Sequence, residues 1–156
     1  MRIRLIAIGT RMPAWVTAGV EDYARRLRAK LRVDLIELAA AKRTASAEAG
    51  RAQADEGQRL LAALGRDDYV VALEERGKQR TTRELAQWLQ LRMRQGRDLS
   101  LLIGGADGID AAVLLRAEER WSLSQLTMPH AMVRILVFEQ LYRANSLLLN
   151  HPYHRD

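Results

Sequence analysis

The chain has no cysteine among its 156 residues. Disulfides and thiolate metal sites are therefore excluded, and the composition points to a reducing, cytosolic compartment. The same absence removes one class of chemistry. An enzyme that attacks a pyrimidine ring carbon through a cysteine adduct cannot be built from these residues, whereas reactions at nitrogen or oxygen need no such nucleophile. Long apolar runs are also missing: no window approaches the roughly eighteen residues of a membrane span. The opening "MRIRLIAIG" carries two arginines and only a short apolar run with no small-residue cleavage site, so it reads as a first strand and not as a signal peptide. A soluble chain with no membrane partner is expected. There is no Pro/Gly/Ser linker, internal repeat or low-complexity tract, which predicts a single domain over residues 1–156. A chain of this size buries roughly 70% of the surface its unfolded form exposes.

Several binding signatures are absent as well. Glycines 104, 105 and 108 in "LLIGGADGID" have the wrong spacing for a dinucleotide fingerprint, and no G-K-[ST] follows for a nucleotide phosphate loop. Nothing resembles a nucleophile elbow, an RNA-recognition aromatic pair, a zinc knuckle or a KH-type loop. What the chain does have is positive charge: 25 Lys plus Arg against 19 Asp plus Glu leave +6. The isoelectric point is near 10.3. That balance favours an anionic partner such as nucleic acid, or else a solvated basic face. The densest positive run is Arg25, Arg26, Arg28, Lys30 and Arg32, with Lys42 and Arg43 beyond.

Periodicity predicts strands at 2–8, 33–38, 69–73 and 99–103, with a further short one inside "WSLSQLTM" (121–128). Helices are expected over 13–31, up to about Leu64 before Gly65, over 81–96, from Asp110 through "AAVLLRAEE", and from about Ala131 to Leu149. Thr81 with Glu84 forms a capping box, Gly96 closes that helix, and Asp110 caps the next. The Ala-rich stretch after Leu38 reads as a mobile loop. Alternation of this kind implies an α/β fold with a parallel sheet covered by helices on both faces.

In such a sheet, ligands sit beyond the carboxyl ends of the strands. Three segments fall there: "ALEERGK" (72–78), "IGGADG" (103–108) and "SLSQLTMPH" (122–130). The glycines suit either close approach of a ligand to bare backbone or a tight turn that needs positive φ. The tail sets His151, Tyr153, His154 and Arg155 together, which supplies proton acceptors and an anion clamp. A carboxylate cluster to complete a metal site is lacking, so no metal is expected. On the last helix, Met132, Val133, Leu136, Val137, Leu141 and Leu148 form an apolar stripe widened by Ile135 and Phe138, which suggests burial against a second subunit. Glu139 and Arg143, four apart, can pair across one turn.

The segments "LLIGGADG", "LTMPHAMVRILVFEQLYRA" and "YHRD", with "LEERGK" and "IAIGTRMPAW" upstream, resemble the RlmH family of SPOUT-class methyltransferases from end to end. The resemblance implies a cytoplasmic homodimer with a deep trefoil knot in its C-terminal half. It also implies S-adenosylmethionine as cofactor, and methylation of N3 of a pseudouridine in the decoding-centre stem-loop of 23S rRNA in the assembled ribosome. Carried over by motif position, Leu73, Gly105 and the run Ser124, Gln125, Leu126, Thr127, Met128 and Pro129 would cradle the cofactor. Gly104 and Gly105 would be bare so that backbone can press against it. His130, Arg143, Tyr153, His154 and Arg155 would surround the target base. Of these, His154 would assist removal of the N3 proton, Arg143 and Arg155 would hold phosphate or the developing anion, and Tyr153 would order the tail or stack on the base. Asn145 departs from the larger residue expected at its position. A SPOUT enzyme with another RNA target, or a non-enzymatic basic ribosome-associated protein, are the alternatives.

Overall fold

The computed structural model describes residues 1–43 and 49–154. Five strands form one sheet in the order β2-β1-β4-β3-β5. They are β1 (Ile3–Ile8), β2 (Val33–Leu38), β3 (Tyr69–Lys78), β4 (Leu99–Ile103) and β5 (Glu119–Trp121). Every pairing is parallel. The central strands β1 and β4 pair on both sides, and their near-continuous apolar sequences follow from being covered on both faces.

Side-chain alternation sorts those strands into two cores. Ile3, Leu5 and Ala7 point to one face with Leu99, Leu101 and Ile103, where they meet Val20 and Leu27, Leu85 and Leu89, and Val137, Phe138 and Leu141. The helices that bring these residues are α1 (Ala14–Leu27), α3 (Thr82–Gln95) and α5 (His130–Leu148), with α5 lying against both others. Ile6, Ile8 and Leu102 point to the other face and meet Leu60 of α2 (Ala49–Ala62) and Val113 of α4 (Ala111–Arg116). Helices thus cover both faces. At Gly19 an added Cβ would stand 3.0 Å from Ile135, so α1 and α5 cross at close range.

The local signals act as expected where they are strongest. The Thr81 hydroxyl accepts from the Glu84 N–H at 3.2 Å, and the Glu84 carboxylate accepts from the Thr81 N–H at 2.7 Å. Gly96 ends α3 in the left-handed region at φ 73°. Asp110 accepts from the Ala112 N–H at 2.9 Å and opens α4.

Boundaries differ elsewhere. The first helix ends at Leu27, where a turn carries the chain to buried Leu31. The fourth ends at Arg116 because residues 119–121 are needed as the edge strand β5, so the short strand expected within 121–128 begins earlier and shares only Trp121 with that segment. Strand β3 runs five residues beyond its apolar part, to Lys78. Both Leu73 and Lys78 register with Trp121, and the residues between them leave the ladder. The Ala-rich stretch expected to be a mobile loop lies partly outside the described residues, at 44–48. Asn145 is buried on α5.

Candidate active site

The carboxyl ends of β3, β4 and β5 converge on one cleft of about 690 Å³. Leu73, Glu74, Glu75 and Arg76 come from β3, Ile103 ends β4 and residues 104–109 follow it, and Trp121 ends β5 with Ser122, Leu123, Ser124, Leu126, Thr127, Met128 and Pro129 after it. His130 and Val133, from the first turn of α5, and Gln53, from α2, complete it. All the residues expected to cradle a cofactor line this space except Gln125, which is exposed beside them.

Glycines make the convergence possible, for reasons internal to the fold. A Cβ at Gly77 would stand 2.4 Å from the Trp121 carbonyl carbon, so only glycine lets the β3 extension touch the backbone of β5. At Gly104 a Cβ would lie 2.7 Å from the Gly108 carbonyl, and at Gly105 it would lie 2.3 Å from the Glu56 carboxylate. The bareness expected to admit a ligand is therefore already required by protein neighbours. Only Gly108 of the three has positive φ, at 82°. Its N–H donates to the Gly105 carbonyl at 3.0 Å. Gln53 of α2 donates to the Asp107 carbonyl at 2.9 Å, and Arg43 pairs with the Asp107 carboxylate at 2.5 Å, so this corner is held from outside. The third corner braces itself: the Ser122 hydroxyl donates to the Ser124 carbonyl at 2.8 Å, and the Ser124 hydroxyl accepts from the Leu126 N–H at 2.9 Å.

His130 stands beside Gly9, at the end of β1. Burial lowers its pKa, and the positive charge of Arg134 one turn along lowers it further. The imidazole is therefore neutral at physiological pH and able to accept a hydrogen bond or a proton. Arg134 is fully buried within the apolar stripe. It pairs with Glu37 at 2.5 Å and donates to the Ile8 and Gly9 carbonyls at 2.9 Å, which ties the first turn of α5 to the ends of β1 and β2. Sequence reasoning passed over Arg134, Glu56 and Gln53. A cation interrupting an apolar stripe and a glycine at position 57 inside a helix were the available signals; a Cβ there would stand 2.6 Å from Asp110.

The remaining site residues gather at the far end of α5. Tyr153 lies edge-on to Tyr142 with ring centroids 4.6 Å apart, and its hydroxyl is 3.3 Å from both the Tyr23 hydroxyl and the Glu139 carboxylate. Burial, together with these two oxygens, pushes the Tyr153 phenol up, and it stays protonated. The Arg143 guanidinium stacks on the Tyr153 ring at 4.8 Å and donates to Glu139 at 2.8 Å, so the expected pairing across one turn forms. His154 is half-buried next to this cluster, and Arg155 lies outside the described residues. The thirteen rises from His130 to Arg143 amount to about 20 Å of helix. Within one chain, then, His130 sits at the cleft while Arg143 and Tyr153 do not.

On the basic run, Arg26 pairs with Asp22 at 2.8 Å and Arg32 with Asp34 at 3.2 Å, while Arg25 remains largely exposed. Among the described residues no cluster of three His, Asp or Glu is placed to hold a metal ion. None of their helices is long and apolar enough to cross a membrane.

A family profile described as "Predicted SPOUT methyltransferase" matches residues 1–154. A protein of Methylococcus capsulatus named "Ribosomal RNA large subunit methyltransferase H" is 52% identical over 155 residues, covering 99% of this chain and 100% of its own length. A protein of the same name from Alkalilimnicola ehrlichii is also 52% identical, covering 99% of each. Among solved structures, a tRNA methyltransferase from Aquifex aeolicus superposes with a TM-score of 0.59 at 13% identity, covering 100% of this chain and 76% of that one. A probable methylase family protein from Haemophilus influenzae gives 0.54 at 17% identity, covering 99% and 70%. At those identities the likeness extends to the fold.

Proposed function

The chain belongs to the SPOUT methyltransferase family and, within it, to the RlmH proteins, and from that premise we propose that it methylates N3 of a pseudouridine in the decoding-centre stem-loop of 23S rRNA. It acts in the cytoplasm on the assembled ribosome, as a homodimer whose C-terminal half is threaded into a deep trefoil knot, with S-adenosylmethionine as donor. The observation that carries the reading is the meeting of Leu73, Gly105 and the 124–129 segment around a single cleft.

The cleft suits that donor. Its volume lies within the range of small-molecule sites, roughly 300–1,000 Å³. Leu73, Ile103, Leu126 and Met128 offer apolar surface for an adenine ring, while the turns at 104–108 and 122–126 form the walls on which the ribose and the methionyl group would rest. When bound, the sulfonium supplies an electrophilic methyl group.

The residues of the chain do the rest by placement. An imide nitrogen becomes a nucleophile when its proton leaves, so a group must accept that proton as the N–C bond forms and the C–S bond breaks. His154 accepts it. His130, held neutral at the cleft floor, offers a lone pair to the base or its sugar without adding a repelling positive charge next to the donor. Arg143 and Arg155 balance phosphate or the developing imide anion. Tyr153 anchors the tail in its aromatic box. Because α5 separates that box from the cleft of its own chain by about 20 Å, each tail serves the cleft of the second copy. Exposed Trp15, Met132 and Leu149 on or beside α1 and α5 leave apolar surface for such a copy.

Mass spectrometry of rRNA nucleosides tests the reading. Cells lacking the gene should lose the methylated pseudouridine and regain it with the gene restored. Its persistence in the deletion strain would overturn the assignment.

A further inference from the structure

Glu56 is a buried acid that neither the core nor the surface explains. It lies on α2 and is 2% exposed. One carboxylate oxygen accepts from the Ala41 N–H at 3.0 Å, while Oε2 is buried without a hydrogen-bond partner among the described residues. An open oxygen on a buried carboxylate is costly unless something compensates for it. The carboxylate presses on the back of Gly105, where a Cβ would stand 2.3 Å from Oε2, and Gly105 lines the cleft. One glycine separates the charge from the ligand space. His130, on the cleft floor, feels the negative field of Glu56.

The other acids at the cleft are occupied or screened. Asp107 is paired with Arg43 at 2.5 Å, Glu74 faces Arg120 at 3.9 Å, and Glu75 is exposed to solvent. Glu56 alone among these acids acts through low-dielectric protein, where attraction falls off slowly with distance. We propose that Glu56 reads the positive charge of the methyl donor: its carboxylate holds a sulfonium more tightly than the neutral thioether left after transfer, and so promotes exchange of product for donor. The proposal rests on the donor site named above.

Isothermal titration of the full chain with three ligands separates charge reading from mere packing. The ligands are S-adenosylmethionine, the neutral S-adenosylhomocysteine, and sinefungin, which carries a protonated amine in place of the methylated sulfur. Glu56→Gln keeps the shape and the Ala41 bond but removes the charge. It should weaken S-adenosylmethionine and sinefungin about tenfold each and S-adenosylhomocysteine by less than about twofold. Equal loss for all three, or no loss, overturns the proposal. The unfolding midpoint of the variant reports whether it folds. If it does not, Glu56→Asp, which withdraws the charge by one methylene, is read in the same way. A wild-type chain that binds none of the three ligands overturns the donor site itself, and this inference with it.

Discussion

Replacing Glu119 with Gln should destabilise the chain by about 2 kcal/mol at neutral pH and by almost nothing near pH 2. Glu119 joins β5 to its surroundings. Its Oε1 accepts from the Tyr69 hydroxyl at 2.5 Å and the Trp88 indole at 2.7 Å; its Oε2 accepts from the Trp121 indole at 3.1 Å and pairs with Arg80. Burial alone would raise its pKa. The four donors outweigh that and pull the carboxyl from 4.5 down to about 2. A depression of that size corresponds to about 3 kcal/mol in favour of the charged, folded form. With the side chain 20% exposed, solvent screening reduces this to roughly 2 kcal/mol. The folded-state pKa is the lower one, so the stabilisation is complete above about 4.5 and disappears as the pH falls toward 2. Gln retains one acceptor oxygen, but its NH₂ meets donors and leaves Arg80 without its carboxylate. The expected loss in thermal midpoint at pH 7 is about 4–8 °C for a chain of this length. Scans of both proteins from pH 7 to pH 2 should show the two midpoints converge. A gap that stays constant down to pH 2, or no gap at pH 7, refutes the reasoning.

Three other outcomes are expected. Removing residues 153–156, or making His154→Ala, should leave donor affinity within about twofold by calorimetry while single-turnover methyl transfer falls at least about a hundredfold; a truncated enzyme of normal rate contradicts the role given to the tail. Co-expressing a cleft-blocked chain, Thr127→Trp at the cleft wall, with His154→Ala should restore about a quarter of wild-type activity, since in the proposed homodimer half of the dimers would be mixed and each would hold one intact site; absence of recovery means that the tail acts on its own chain. Gly77→Ala should cost about 2–3 kcal/mol in urea unfolding, because the added Cβ meets β5 backbone at 2.4 Å, and an unchanged midpoint would show that β3 and β5 can part without penalty.

Features governed by neighbours in sequence were readable in advance. Thr81, Glu84, Gly96 and Asp110 bond within a few residues, so their roles follow from spacing. The parallel order of the sheet and the gathering of three segments at its carboxyl edge followed from the alternation of apolar strands and helices. Contacts across long sequence separations were not readable. The extension of β3 carries Glu74, Glu75 and Arg76, which look like a loop until Trp121 is seen opposite both ends of the segment. That Gly104 and Gly105, which line the cleft, must also be bare because Gly108 and Glu56 occupy the space a Cβ would need was not visible in the sequence. Arg134 reaches β1 and β2 from the last helix, 97 residues away from Glu37, and no local pattern encodes that reach. The distance between Tyr153 and the cleft depends on α5 running as one unbroken helix over its 19 residues.

The doubled pairing of Trp121 makes the segment from Glu74 to Gly77 a pleat let into an otherwise continuous seam. Residues can be added to it or removed from it without shifting the ladder at Val71 and Ala72, so changes in its length would reshape one wall of the cleft and leave the sheet in register. Variation among relatives that differ in what they accept should therefore concentrate in this fold of slack, while Gly77, the stitch that closes it, stays fixed.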